Sequence, residues 1–287
     1  MSRRSTLRAA VALCAAAALF LLYLLFESQW LRRVDHEIEI PDLPPDLEGF
    51  TVVQLSDIHA GSRPSFNLRV LGKAVAVTRT VDPDLVVITG DLVTGGSRLD
   101  ALANDLRRLP ARHGVFAVLG NHDHGLIKLV RAEPVDLSWL DDETGVRLLT
   151  DECVSIVVGD ATVQVCGVDD VRHGFGDGAS VLAALDRTPG VLRLLLSHYG
   201  EVAANTARGD FALIMVGDTH GGQICLPGPG PDGRLMLGQP RAHFEAGFHD
   251  DEGGPVYVSR GVGTSFLPFR LLARPEVTVF RFRRGAS

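Results

Sequence analysis

Hydrophobic positions along this chain fall into three patterns. The first is an uncharged apolar run over residues 9–26, just long enough to cross a bilayer as one helix. The second is the strict alternation of HEIEI (36–40), as an edge strand would show, cut off by PDLPPDLEG, which breaks regular structure. The third recurs through the remainder: an apolar, β-branched run of strand length that ends at once in polar residues. FTVVQL (50–55) runs into Ser56, Asp57, Ile58 and His59, and LVVIT (85–89) into Gly90 and Asp91. VFAVL (115–119) runs into Gly120, Asn121, His122 and Asp123, and VLRLLL (191–196) into Ser197 and His198. FALIMV (211–216) ends in Gly217, Asp218, Thr219 and His220. Runs this apolar predict strands buried on both faces.

Helical patterns separate several of these strands. Ser65 is placed to cap a helix through Thr80. Ser97 and Asp100 form an S-x-x-D capping pattern ahead of Leu99, Leu102, Leu106 and Leu109 on one face. Residues 177–187 and 201–208 also read as helical, and Pro/Gly-rich CLPGPGPDGR (225–234) as one long surface loop. The alternation predicts an α/β domain over 49–287, preceded by an anchor (1–26) and a tether with a leading strand (27–48). In open α/β sheets the functional crevice lies outside the carboxyl ends of the strands, so the five polar endings are expected to converge there.

Charge refines this picture without redirecting it. The 287 residues carry a net charge of −7 and no Lys/Arg block in the body, so no nucleic-acid partner is expected. Arg3, Arg4 and Arg8 precede the apolar run and Glu27 follows it. This asymmetry predicts a single-pass cell-membrane protein with its body outside the cytoplasm. SRRSTLR (2–8) is similar to a twin-arginine export signal, with Thr6 where an aromatic is usual; positive-inside charge accounts for the same arginines. No small-x-small cleavage site follows, which favours a retained anchor.

The candidate chemistry is what the five strands deliver: Asp57, His59, Asp91, Asn121, His122, His198, Asp218 and His220. A lone histidine at a strand end is usually a hydrogen-bonding residue. Histidines at four strand ends, with three carboxylates, are better explained as ligands for Mn, Fe, Zn or Co. One ion takes four to six ligands, so eight candidates point to two ions.

DIH (57–59), GD (90–91), GNHD (120–123), SH (197–198) and GDTHGG (217–222) stand in the order of the calcineurin-like metallophosphoesterases. The chain resembles that superfamily from about residue 49 to 282. QLSDIHAG, VSRGVGTSFLPFR and RPEVTV are similar to its membrane-attached bacterial phosphodiesterase branch. The resemblance implies a two-sheet, four-layer β-sandwich flanked by helices and a two-metal site. It assigns Asp57, His59 and His220 to the first ion, Asp91 to both, Asn121 and His198 to the second, and catalysis to His122. Asp218 stands where that family has a histidine; it is expected to ligate the second ion, with a plain turn aspartate as the alternative.

Two such ions, manganese first and Fe, Zn or Mg also compatible, would polarise a phosphoester and generate a bridging hydroxide. His122 would protonate the leaving oxygen. Asp123 either orients His122 or is a surface carboxylate, and Asp169 and Asp170 either line the crevice or form a turn. Arg260 and Arg270 are candidates for substrate phosphate, and His173, His243 and His249 for loops facing the substrate. A phosphodiesterase is the first expectation. A lipid-linked nucleotide pyrophosphatase and a metal-binding module with weakened catalysis remain as alternatives. Finally, a two-residue turn at Gly159-Asp160 would place Cys153 opposite Cys166, either as a disulfide in an exported domain or as two buried thiols.

Overall fold

The computed structural model describes residues 3–62, 66–127, 130–228, 234–237 and 245–285. Two six-stranded mixed sheets lie face to face. In the first, the strands run Arg32–Ile40, Glu276–Arg284, Thr51–Leu55, Leu85–Thr89, Val115–Val118, Val146–Leu148 across the sheet. In the second the order is Gly247–Asp251, Gly254–Val258, Leu213–Val216, Leu192–Leu196, Ala161–Gly167, Glu152–Val158. Each of the five apolar runs is a strand at the centre of its sheet, paired in parallel with its neighbours among them. Their carboxyl ends therefore share one edge, as expected. Thr51–Leu55, Leu85–Thr89, Val115–Val118 and Leu213–Val216 are buried at every position.

Three apolar layers hold the sandwich. Between the sheets, Val52, Val87, Phe116, Val165, Leu194, Met215 and Phe280 interdigitate. The helices Asn67–Val81 and Leu99–Leu106 cover the outer face of the first sheet through Leu71, Val75, Leu102 and Leu106. The short helix Gly178–Ala183 and the 3-10 turn Gly200–Asn205 cover the second through Val181 and Val202. Gln54 ties the sheets together, its amide donating to Thr89 Oγ1 and to the Val216 carbonyl, both at 2.9 Å.

HEIEI belongs to the edge strand Arg32–Ile40, whose exposure alternates along its length. The expected hairpin is present: Val158 pairs with Ala161, and Cys153 faces Cys166 in a disulfide with Cα atoms 4.0 Å apart. Several local expectations change. The helix of the capping pattern starts at Leu99 without a side-chain cap, because the Ser97 hydroxyl donates to the Gly61 carbonyl instead. Residues 177–187 and 201–208 are helical only over Gly178–Ala183 and Gly200–Asn205. The 225–234 segment is not all surface loop, since Cys225–Pro227 pairs with Arg234–Met236 and Cys225 is buried. Ser65 and His243 lie outside the described residues.

The apolar run lies within one helix, Arg3–Ser28, long and apolar enough to cross a membrane. Its last turns are fastened to the domain. The Leu24 carbonyl accepts from Arg270 N (3.2 Å), and buried Glu27 accepts from Ala273 N (2.9 Å). The Arg274 guanidinium lies over the Trp30 ring, 3.7 Å from its centre.

Candidate metal centre

The strand ends bring the predicted residues together through an unusual backbone. Asp57, His59, Asp91, Asp218 and His220 all adopt positive φ, between 49° and 69°. Non-glycine residues seldom do so, each such residue costs about 1 kcal/mol or more, and the strain concentrates at functional sites. Asp57 and His59 are held in it by amides donating to the Gly90 and Asp91 carbonyls at 3.0 and 2.9 Å. Gly217 permits the closest approach, since a Cβ there would stand 2.1 Å from Ser56 Oγ and 2.7 Å from Asp57 Oδ2.

Candidate ligand atoms gather in overlapping groups, one of Asp57, His59 and His220 and another of Asp57, Asp91 and His198, with His122 in a third beside His59 and Asp91. In the first, His220 Nε2 lies 3.4 Å from Asp57 Oδ1 and 3.0 Å from His59 Nε2. In the second, His198 Nε2 lies 3.5 Å from Asp91 Oδ2 and 3.9 Å from Asp218 Oδ1. Asp91 Oδ2 is also 3.5 Å from His59 Nε2, which puts it between the groups.

The donors fit divalent cations by what they lack. Among the described residues, both oxygens of buried Asp57 and Nε2 of buried His198 have no hydrogen-bond partner. The Ser56 hydroxyl, the nearest candidate donor to Asp57, is turned to the Thr89 carbonyl at 3.0 Å. A buried carboxylate without donors is costly unless a cation meets it. The Thr89 carbonyl also accepts from His198 Nδ1 at 2.9 Å, so once the ring is neutral its lone pair is on Nε2.

Electrostatics agree. Burial pushes the Asp57 carboxyl up to about 7, opposed by His198. Burial drives His59 down to about 3 and holds His220 well below the usual imidazole range. Asp91 is pushed upward by burial, but the rings of His198, His59 and His122 outweigh this and hold its carboxyl low. Burial disfavours the His198 cation, yet Asp91 keeps that ring protonated well above its ordinary range. Burial at Asp57 and the Asp91 carboxylate at His198 thus favour the protonated forms, with which a divalent ion would compete.

A family model described as calcineurin-like phosphoesterase matches residues 50–222. The chain belongs to that family. The uncharacterized metallophosphoesterase YkuE of Bacillus subtilis is 30% identical over 295 residues, covering 99% of this chain and 98% of its own length. Phosphodiesterase YaeI of Escherichia coli is 26% identical over 290 residues, covering 97% and 98%. A transmembrane protein with metallophosphoesterase domain from Danio rerio is 30% identical over 280 residues, 93% of this chain but 61% of that relative's length. Family membership makes the chain a metallophosphoesterase, a hydrolase of phosphoester bonds.

The rest of this metallophosphoesterase's site lies along a cleft of about 690 Å³. Asn121 and His122 line it with Asp91, Asp218 and His220. Asn121 Oδ1 accepts from the Tyr199 hydroxyl at 2.8 Å, leaving its second lone pair. His122 Nε2 stands 3.9 Å from Asp91 Oδ2, and burial lowers its pKa against the pull of Asp91. Thr94 Oγ1 lies between two rings, 2.8 Å from His59 Nδ1 and 3.0 Å from His122 Nδ1. Asp218 Oδ2 meets Arg172 Nη1 at 3.2 Å, and that guanidinium stacks 3.8 Å over the Tyr199 ring.

Thr94, Tyr199 and Arg172 were not among the sequence candidates. Thr94 and Tyr199 follow Asp91 and His198 by three residues and one, which is the signal that could have found them. Arg172 had none. Other expectations are corrected. Asp123 is no surface carboxylate; buried, it accepts from the amides of Gly120, Val93 and Leu92 and clamps two loops together. Arg270 holds no substrate: it is fully buried, donating to the carbonyls of Gly263, His220, Ala273 and Arg260. Arg260 lies 3.7 Å from Glu276 rather than in the cleft. His249 sits in the strand Gly247–Asp251 and bonds the Glu245 carbonyl, while His173 does line the cleft. Asp169 and Asp170 are buried acceptors for His124 and His173, each at 2.7 Å. Thr219 lines the cleft beside Asp218 and His220, and left-handed backbone aims that pair.

Proposed function

We propose that this chain is a phosphodiesterase with two divalent ions. Asp57, His59 and His220 would hold the first and Asn121, His198 and Asp218 the second, with Asp91 placed to serve both. The observation that carries this reading is that buried Asp57 and His198, with ligand atoms unpartnered among the described residues, gather with Asp91 so that one ligand atom of each lies within 4.8 Å of the others. When bound, the ions would neutralise the phosphoryl oxygens and make water more acidic near neutral pH.

The chain's own residues handle the protons. If His59 ligates through Nε2, its Nδ1 carries a proton and donates it to Thr94 Oγ1. The Thr94 hydroxyl then donates to His122 Nδ1, which leaves the His122 proton on Nε2, facing Asp91 and the cleft. That proton is positioned for the departing alkoxide. Arg172, anchored by Asp218 and Tyr199, brings a cation to the cleft wall for a phosphate oxygen.

We read the chain as a single-pass membrane protein whose domain lies outside the cytoplasm. The arginines ahead of the apolar helix and the Cys153–Cys166 disulfide support this orientation. Fixing the helix end to a loop of the site favours a lipid-linked phosphoester as substrate.

The test uses the full chain in detergent, stripped of metal and reloaded with Mn²⁺, on bis(p-nitrophenyl) phosphate. Turnover is expected to require the metal. His122→Ala should lose about 10²-fold or more in kcat while binding both ions. Folded, metal-loaded protein that is inert on phosphodiester, phosphomonoester, pyrophosphate and phospholipid alike would instead support the metal-binding-module reading.

A further inference from the structure

Part of the cleft's lining is apolar. Leu126, Ile224, Leu237, Phe266 and Leu267 line it, and Leu237, Phe266 and Leu267 are half exposed. Half-exposed apolar side chains grouped at a cleft mouth mark a binding surface more often than a chance of folding. Phe266 is also strained, with φ of 59°. Gln223 pins this turn: its amide donates to the carbonyls of Ser265 (2.9 Å) and Leu267 (3.1 Å), and its oxygen accepts from Ser265 N (2.8 Å). Gln223 thus fixes an exposed aromatic ring 6.0 Å from the His122 ring.

The same loop carries the junction with the apolar helix. Arg270 follows Leu267 by three residues, at most about 10 Å of chain. Its amide donates to the Leu24 carbonyl in the last turns of that helix, while its guanidinium reaches His220 Nδ1 at 3.3 Å. One arginine therefore spans from the helix to the candidate metal centre. The helix around this junction exposes Leu19, Phe20, Leu21, Leu22 and Phe26, an apolar surface that suits a bilayer interior. With that helix in a bilayer, the apolar lining of the cleft would be held near the membrane surface.

Resting on the phosphodiesterase reading, we propose that Phe266, Leu267 and Leu237 receive the hydrocarbon chain of a membrane lipid whose phosphodiester reaches His122 and the metal centre. The bond changes are those of hydrolysis. A water oxygen bonds to phosphorus, the P–O ester bond breaks, and the leaving oxygen takes a proton, giving a phosphomonoester and an alcohol. The apolar wall contributes by holding the chain as the headgroup enters, so the gain should grow with chain length.

The experiment compares p-nitrophenyl methyl phosphate with p-nitrophenyl dodecyl phosphate, using Mn²⁺-loaded full chain in mixed micelles of fixed composition. The readout is the ratio of kcat/KM for the dodecyl probe over the methyl probe, and comparing proteins at one composition cancels partition of the probe. In the native protein this ratio should be about tenfold or more, and in Phe266→Ser with Leu267→Ser it should drop about tenfold. Leu237→Ser, at a half-exposed position distant in sequence, should lower it independently if the double variant folds poorly. A native ratio near one, or a ratio unchanged in these variants, overturns the proposal while leaving the phosphodiesterase reading intact. Failure of the metal-loaded native protein on both probes overturns that reading, and this proposal with it.

Discussion

A single added methyl group at Gly120 tests how the metal centre is built. Gly120 opens the turn after Val115–Val118, and a Cβ there would stand 2.4 Å from Asp91 Oδ1, 2.7 Å from Asp91 N and 2.9 Å from His198 Cδ2. Contact at normal separation needs about 1 Å of retreat. Neither side is free to give it. Asp91 Oδ1 accepts from His122 N at 2.8 Å, and Gly120 N donates to Asp123 Oδ2 at 2.9 Å. Overpacking of this kind costs about 1–3 kcal/mol. For a chain of this size that is a fall in Tm of roughly 2–5 °C. The displacement also moves Asp91 from its place between His59 and His198, 3.5 Å from each. Gly120→Ala is therefore expected to bind fewer ions than the native chain. Melting the metal-free protein isolates the packing cost, and elemental analysis after Mn²⁺ reloading counts the ions. Gly96→Ala is the control, since a Cβ there meets nothing within 4 Å among the described residues. A Gly120→Ala protein with native ion content and a metal-free Tm within about 1 °C of native would refute the packing argument.

Two further outcomes are expected. Asp218→Ala should release about one ion per chain and cut turnover severely, whereas Asp218→His should keep both and shift preference toward softer ions; two ions and full turnover in Asp218→Ala would make Asp218 a turn residue only. Reducing the Cys153–Cys166 bond, which closes a loop of sequence separation 13, should lower stability by about 3 kcal/mol in denaturant titrations. Labelling of both thiols in protein isolated from cells without reductant would contradict both the bond and the extracytoplasmic orientation.

Much of this protein was legible from its sequence because the signals are local. Five apolar runs ending in Asp, Asn and His marked central strands and the crevice at their carboxyl ends. The ligand types marked a metal centre, and Gly159-Asp160 fixed the register that sets Cys153 against Cys166. Each of these depends on residues adjacent in the chain, or on a period that repeats along it. The leading strand Arg32–Ile40 was legible for the same reason, through the alternation of HEIEI.

What the tertiary structure decided is which distant group answers each polar atom. Thr94 is one hydroxyl among many until folding sets it between His59 and His122. Asp123 and Arg270 carry charges that usually mark a surface, yet both are buried, because converging loop amides and carbonyls satisfy them. The left-handed backbone at Asp57, His59, Asp91, Asp218 and His220 has no sequence signal either. These residue types do not demand that conformation; the packing of one loop on the next imposes it. The docking of the apolar helix beside His220, through Leu24 and Arg270, is likewise a contact between segments some 250 residues apart. Periodicity and motif spacing report what a segment is, but the energy of a buried donor or acceptor depends on its neighbours in space, which only the folded chain brings together.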